Sequence, residues 1–151
     1  MAMSPYYQAL RDRIGHELML YPAVGAVIPD ASGRILLQTK TEEAGWFIPG
    51  GAIEPGERPE ESLIREIAEE TGLIVEPVKV VLVFGGPEYR YEYPNGDKVE
   101  IFGALYRCRV VGEAAGPLDP ETKSLHYFSR EAMPPLRLPY PVEALFDHLK
   151  A

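Results

Sequence analysis

Apolar residues near the N-terminus recur at helical spacing: Tyr6, Tyr7, Leu10, Ile14 and Leu18. Ser4 followed by Pro5 suits an N-cap and a first helical residue, so the pattern predicts a helix over this stretch. From Tyr21 to Ile28 the chain is small and β-branched, which predicts a strand. Pro29-Asp30-Ala31-Ser32-Gly33 reads as a turn and Arg34–Lys40 as a second strand, the two strands forming a hairpin. Trp46-Phe47-Ile48 predicts a short strand ended by Pro49-Gly50-Gly51. Pro59–Thr71 is bounded as a helix should be, with Pro59 near its first position and Gly72 just past its end. Val78–Phe84 predicts a strand. Tyr89–Tyr93 and Lys98–Val111 flank Pro94-Asn95-Gly96-Asp97, whose Asn-Gly pair signals a hairpin. Leu125–Phe128 reads as a short strand and Pro141–Leu149 as a final helix. Short strands and hairpins around one strong central helix, with helical ends, predict an α+β fold with a mixed sheet covered by helices.

The chain has 151 residues, the size of one domain, and shows no composition break or internal repeat. One domain over residues 1–151 is expected, with residues 1–18 as an N-terminal helical extension. Hydrophobic residues are 46% and charged residues 25%, which excludes disordered and collagen-like classes. The single cysteine, Cys108, excludes an intrachain disulfide and a thiolate zinc cluster and fits a reducing compartment. Lys and Arg number 15 against 23 Asp and Glu, a net charge of −8, a poor footprint for nonspecific nucleic-acid binding. Met1-Ala2-Met3-Ser4-Pro5 turns polar at once, and no apolar run approaches the ~20 residues that cross a bilayer. The expectation is a cytoplasmic protein with no membrane partner.

The stretch from Gly50 to Leu73 is the most informative. At about 100° per residue, Leu63, Ile64, Ile67 and Ala68 share one helix face, while Glu66, Glu69 and Glu70 share another at offsets of 0, +3 and +4. Three like charges therefore crowd together, and the helix has no lysine. Arg65 lies four residues before Glu69 and is expected to pair with one acid only. Glu69 and Glu70 also sit at the helix C-terminus, where the dipole disfavours anions. Such an arrangement is unfavourable unless a cation arrives, and Mg²⁺ takes oxygen ligands and accompanies phosphates. The bland alternative is a solvated acidic face. Gly50-Gly51 weighs against it, because glycines let backbone approach a ligand closely, as does Glu57, a further acid on the same loop.

The segment resembles the Nudix box, Gly-x5-Glu-x7-Arg-Glu-(aliphatic)-x-Glu-Glu-x-Gly-(aliphatic), at every defined position: Gly51, Glu57, Arg65, Glu66, Ile67, Glu69, Glu70, Gly72 and Leu73. The resemblance implies a Nudix α/β/α sandwich. It implies a metal-dependent pyrophosphohydrolase that cleaves a nucleoside diphosphate linked to another moiety, using Mg²⁺ or Mn²⁺ and a water nucleophile. It places the metal on Glu66, Glu69, Glu70 and a backbone carbonyl at Gly50 or Gly51, has Arg65 hold a box glutamate, and gives Glu57 a supporting position. Nucleoside triphosphates, ADP-ribose-like sugars and dinucleoside polyphosphates are all candidate substrates. Pro87 hints at the second and Tyr89 with Tyr91 at the third. A noncatalytic Nudix-fold regulator and an RNA-end or cap hydrolase are the rivals.

Outside the box, Glu121 in Asp119-Pro120-Glu121-Thr122 is the candidate general base, because coordinated box acids have their lone pairs engaged. Trp46 can stack on a base or fill the core. Tyr89 and Tyr91 can line a substrate pocket or simply reflect the aromatic enrichment of strands. His16, His126 and His148 show no metal-ligand spacing and read as structural or surface residues. Cys108 reads as a small buried hydrophobe, and Asp97 and Glu100 as solubilising. The apolar face of Tyr6–Leu18 needs a surface to cover; a second copy in a homodimer is the expectation, and the helix's own chain is the alternative.

Overall fold

The computed structural model describes residues 3–116 and 118–147. Its main sheet runs in the order β3-β1-β6-β4, with β1 (Met19–Val27), β3 (Gly50–Ala52), β4 (Leu73–Phe84) and β6 (Lys98–Glu113). β5 (Arg90–Glu92) pairs with the start of β6, while β2 (Ile35–Lys40) and β7 (Thr122–Phe128) form a separate antiparallel pair. Among the described residues the α-helices are α1 (Pro5–Ile14), α2 (Pro59–Thr71) and α3 (Val142–Phe146). The mixed sheet with flanking helices is the α+β sandwich that the sequence predicted.

Alternation along the strands divides the core in two. Val24, Ala26 and Ile28 on β1 and its extension, with Tyr106 and Cys108 on β6, meet Leu63 and Ile67 of α2. The opposite face, with Met19, Val27, Val99, Ile101 and Leu105, meets Tyr7 of α1 and Leu145 and Phe146 of α3. β1 lies in a narrow slot. A Cβ at Gly50 would come within 2.1 Å of the Val24 carbonyl oxygen, and one at Gly103 within 2.0 Å of the Ala23 carbonyl oxygen. Only glycine allows β3 and β6 to close on β1 this tightly.

Several sequence expectations are corrected. The turn after Ile28 closes as expected, with Leu36 N donating to Ile28 O at 3.1 Å. The strands it joins then separate, β1 pairing parallel with β6 and antiparallel with β3, and β2 pairing with β7. Trp46-Phe47-Ile48 makes only isolated bridges, and the strand is instead the glycine pair itself with Ala52. β4 starts at Leu73, because Gly72 (φ 75°) ends α2 and turns the chain straight into the sheet. α1 stops at Ile14, where Gly15 (φ 66°) breaks the helix, rather than reaching Leu18. α3 covers Val142–Phe146 with Pro141 and Asp147 as its caps, and the last two residues of the predicted final helix, His148 and Leu149, lie outside the described residues.

α1 covers its own chain. Tyr7 donates its hydroxyl proton to Ile53 O, and the buried Arg11 donates to Gly15 O, Glu17 O and Lys98 O. Asp97, read as solubilising, is 5% exposed and faces Arg11 at 3.6 Å and His16 at 2.9 Å. It pins α1 to the β5–β6 turn. Of the apolar residues at helical spacing, Tyr7, Leu10 and Ile14 pack into the core of their own chain, while Tyr6 and Leu18 stay exposed at 48% and 45%. Glu100 does stay at the surface in character, paired with Arg90 at 2.8 Å. Cys108 is 2% exposed, and burial pushes its thiol up to about 12, so it is a packed hydrophobe.

Candidate active site

α2 begins with Pro59, whose missing N–H costs nothing in the first turn, and carries Glu60 and Glu61 there, both favourable at a helix start. Its Leu63 and Ile67 are fully buried against the sheet, and that packing fixes the rotation of the helix. Ile64, expected on the same face, is 37% exposed. The same rotation forces Glu66 and Glu70 inward, to 0% and 2% exposure, and leaves the Glu69 side chain 41% exposed.

The two buried acids meet β3 differently. A Cβ on Gly51 would fall 2.4 Å from Cδ of Glu66, so glycine is required for that carboxylate to sit against the strand. Glu70 Oε1 accepts from Gly50 N at 2.8 Å and Oε2 from Gln38 Nε2 at 2.9 Å. Gly50 N–H therefore leaves β3 on the edge away from β1. A residue's N–H and C=O leave a strand on the same edge, so the Gly50 carbonyl opens beside the acids too.

Arg65 organises the remainder. Its Nε and Nη2 donate to the two oxygens of Glu57 at 2.7 and 2.8 Å, a bidentate pair, and Nη1 donates to Glu66 Oε1 at 3.0 Å. Nη1 also lies 3.5 Å from Glu69 Oε1, and Nη2 donates to Ala52 O at 3.3 Å. The expectation that Arg65 pairs with one acid is thus corrected: it spans three. Glu57 accepts further from Ser62 Oγ and Glu54 N, and these donors, Arg65 foremost, hold its carboxyl at about 2. It braces Arg65 and is poorly suited to take up a proton.

Burial, with the charge of Glu70 second, pushes Glu66 up to about 8. Burial raises Glu70 as well, against the opposing pull of Lys40, Gln38 and Gly50. Glu66 Oε2 is buried with no hydrogen-bond partner. An unpaired anionic oxygen is costly in the interior and is a ready ligand for a hard cation. Among the described residues, no three acidic, imidazole or thiol side chains converge as they stand tightly enough to hold a metal ion. Glu66 turns to Gly51, Glu70 to Gln38 and Gly50, and Glu69 outward, so the trio is not the single cluster the helix wheel suggested. The donor set still fits a divalent cation: all-oxygen, buried, twice raised in pKa and holding one orphaned lone-pair site.

A consequence is measurable without any cation. Glu66 binds its proton in the folded state up to about pH 8, against about 4.5 unfolded, so folding takes up a proton between those values. Stability contributed by this group is therefore lost as pH rises from about 4.5 through 8, and the full cost is present above that. In EDTA, Glu66→Gln is expected to leave Tm unchanged near pH 5 and raise stability by about 2–4 kcal/mol near pH 9. An equal gain at both pH values in thermal unfolding would refute the assignment.

Gly50, Gly51, Arg65 and Glu70 line a cleft of about 1110 Å³, joined by Lys40 and Glu121. Tyr7 and Arg11 of α1, with Tyr21 and Tyr93, line it as well. Glu121 stands at the start of β7 on a tied loop: Thr41 N and Oγ1 both donate to Glu121 O at 2.9 Å, and Asp119 N donates to Glu69 O at 2.8 Å. The aromatic candidates lie elsewhere. Trp46 packs edge-on against Phe128 at 4.8 Å, the core alternative. Tyr89 does not line the cleft itself; it is 9% exposed and clusters with Phe84 and Tyr140, which do. Tyr91 donates to Glu43, a cleft residue, and lies under Arg137 at 4.9 Å, without lining the cleft itself. His126 stacks on Phe128. Sequence reasoning missed Gln38, 1% exposed at the end of Ile35-Leu36-Leu37. A polar residue closing an apolar strand was the available signal.

Comparison with known proteins bears on this geometry. The NUDIX domain family matches residues 19–148. An RNA pyrophosphohydrolase of Acinetobacter baylyi is 34% identical over 83 residues, 52% of this chain and 50% of that protein, so the chain spans about half the length of this relative. The crystal structure of an ADP-ribose pyrophosphatase from Streptococcus suis superposes with a TM-score of 0.65 at 25% identity, over 83% of this chain and 86% of the other. A MutT NUDIX hydrolase from Burkholderia pseudomallei gives 0.64 at 26% identity, over 84% and 96%.

Proposed function

The chain belongs to the Nudix family, and from that premise we propose that it is a pyrophosphohydrolase of small nucleotides, splitting a nucleoside diphosphate from the group attached to it. The observation that carries this reading is the buried, partnerless Glu66 Oε2 against Gly51, on the same helix as the buried Glu70. A purely structural helix gains nothing from two interior acids of raised pKa, whereas a site for a cation and its phosphates needs them. Glu66, Glu69, Glu70 and the Gly50 carbonyl would hold Mg²⁺ or Mn²⁺. The bound ion would neutralise phosphate charge and acidify a water.

The chain's own residues supply the rest. Arg65, clamped by Glu57, fixes Glu66 Oε1, while Oε2 lies buried against Gly51, which lines the cleft. Lys40 brings a positive charge to the cleft that receives the phosphates. Glu121 takes the proton of the attacking water as it closes on phosphorus, and the pyrophosphate oxygen departs opposite. The cleft, about 1110 Å³, has room for a nucleotide. No helix of the described residues is long and apolar enough to cross a membrane. The reading includes a cytoplasmic location and a homodimer, for which the exposed sheet residues Leu20, Val83 and Phe102 now offer a better face than α1.

The test is phosphate and nucleotide release from nucleoside triphosphates, ADP-ribose, dinucleoside polyphosphates and 5′-triphosphorylated RNA, with Mg²⁺ and with EDTA. The RNA arm matters because of the Acinetobacter relative. Turnover of a small nucleotide that stops in EDTA is expected. Turnover that persists in EDTA, or none on any substrate, overturns the reading.

A further inference from the structure

We propose that Gln38 is a positioning residue that sets the direction in which Glu70 presents its carboxylate to the cleft, and that it couples Glu70 to the strand bearing Glu121. This rests on the function proposed above. Gln38 ends the buried part of β2 with no water access, and its amide is used at both ends. Nε2 donates to Glu70 Oε2 at 2.9 Å, and Oε1 accepts from Thr122 Oγ1 at 3.4 Å. A carboxylate can only accept, so the amide has one workable orientation, nitrogen toward Glu70. That in turn makes Thr122 the donor on the far side.

The rest of the geometry agrees. Gln38 is itself clamped by backbone bonds to Phe47, N to O at 2.9 Å and O from N at 2.8 Å. Gly50 N holds the other oxygen of Glu70 at 2.8 Å. With one fixed donor per oxygen, the carboxylate plane cannot rotate freely, and its remaining lone pairs keep a constant aim. Thr122 follows Glu121 directly, and Thr41, three residues beyond Gln38 in the chain, holds the Glu121 carbonyl. β2 therefore spaces the helix acid from the loop acid. Partners that orient metal-binding carboxylates typically contribute 10–100-fold to metal affinity.

The experiment compares wild type with Gln38→Met, which keeps the volume and loses the donor, and Gln38→Asn, which keeps the amide and loses its reach. Mn²⁺ binding to substrate-free protein is read by electron paramagnetic resonance, with circular dichroism as the check on folding. kcat and KM are then measured at saturating metal. The expected result is folded variants whose Mn²⁺ affinity falls about 10–100-fold, with kcat lowered and the substrate KM nearly unchanged. Wild-type Mn²⁺ affinity and kcat in either folded variant overturn the proposal and leave the function standing. A wild-type protein that neither binds Mn²⁺ nor hydrolyses any nucleotide overturns the function, and this inference with it.

Discussion

Glu69→Gln and Glu70→Gln should each lower kcat by about 10²–10³-fold or more, the loss expected when several kcal/mol of charge stabilisation leave a phosphoryl-transfer site. The two variants should differ in stability. Glu69 is 41% exposed and meets Arg65 only at 3.5 Å, so its neutralisation changes a surface pair worth about 0–1 kcal/mol. Glu70 is interior. As glutamine it could still accept from Gly50, but its own amide nitrogen would then confront Gln38 Nε2, donor against donor. Relief of burial and of repulsion with Glu66 opposes that cost, so little net change in Tm is expected. Steady-state kinetics with melting curves check both. Near-normal turnover in either folded variant would remove that residue from the metal set.

Glu121→Gln should lower kcat by about 10²–10⁴-fold with KM little changed, the usual loss on removing a general base. Backbone contacts of Glu121 help to hold the loop. Thr41 N and Oγ1 bond the Glu121 carbonyl, and Glu121 N bonds Asp119 Oδ1, none of which involves the Glu121 carboxylate. The variant should also flatten the acidic limb of the pH–rate profile. Glu57 is engaged by Arg65, Ser62 and Glu54 N, and its loss should act through Arg65 instead. Full kcat in Glu121→Gln together with a collapse in Glu69→Gln would locate the base within the helix.

Local signals were legible where they were self-contained. Pro59 and Gly72 delimit α2, and the box acids, Arg65 and Gly51 could be named because their spacing along one helix and its approach loop is nearly their geometry. What escaped depends on pairing across the chain. Nothing local to Arg34–Lys40 says that β2 leaves β1 for β7, about ninety residues onward. Gln38 thus meets Thr122 and Glu70 through a partner choice that the strand's own pattern does not contain. Glycine was read as a turn signal at Gly50-Gly51, but close packing made those residues a strand. Asp97 looked solvated beside Asn95-Gly96, yet it is buried because Arg11, far back in the chain, needs a counter-charge.

The slot around β1 also bears on how the molecule is made. β1 is paired parallel with β6 from Met19↔Val99 to Val27↔Arg107, partners about eighty residues apart. During synthesis, the apolar run Val24–Ile28 leaves the ribosome long before the strand that will shield it, and it stays an unpaired edge meanwhile. Loop closure over that distance must be achieved before any ladder bond rewards it, so this pairing is slow to form compared with local contacts. A slide that brought a residue with a Cβ to the places of Gly50 and Gly103 would clash with the β1 carbonyls, which disfavours shifted registers. Threading β1 between its neighbours should therefore be the slow step of refolding, and a chain halted before β6 should aggregate through this strand.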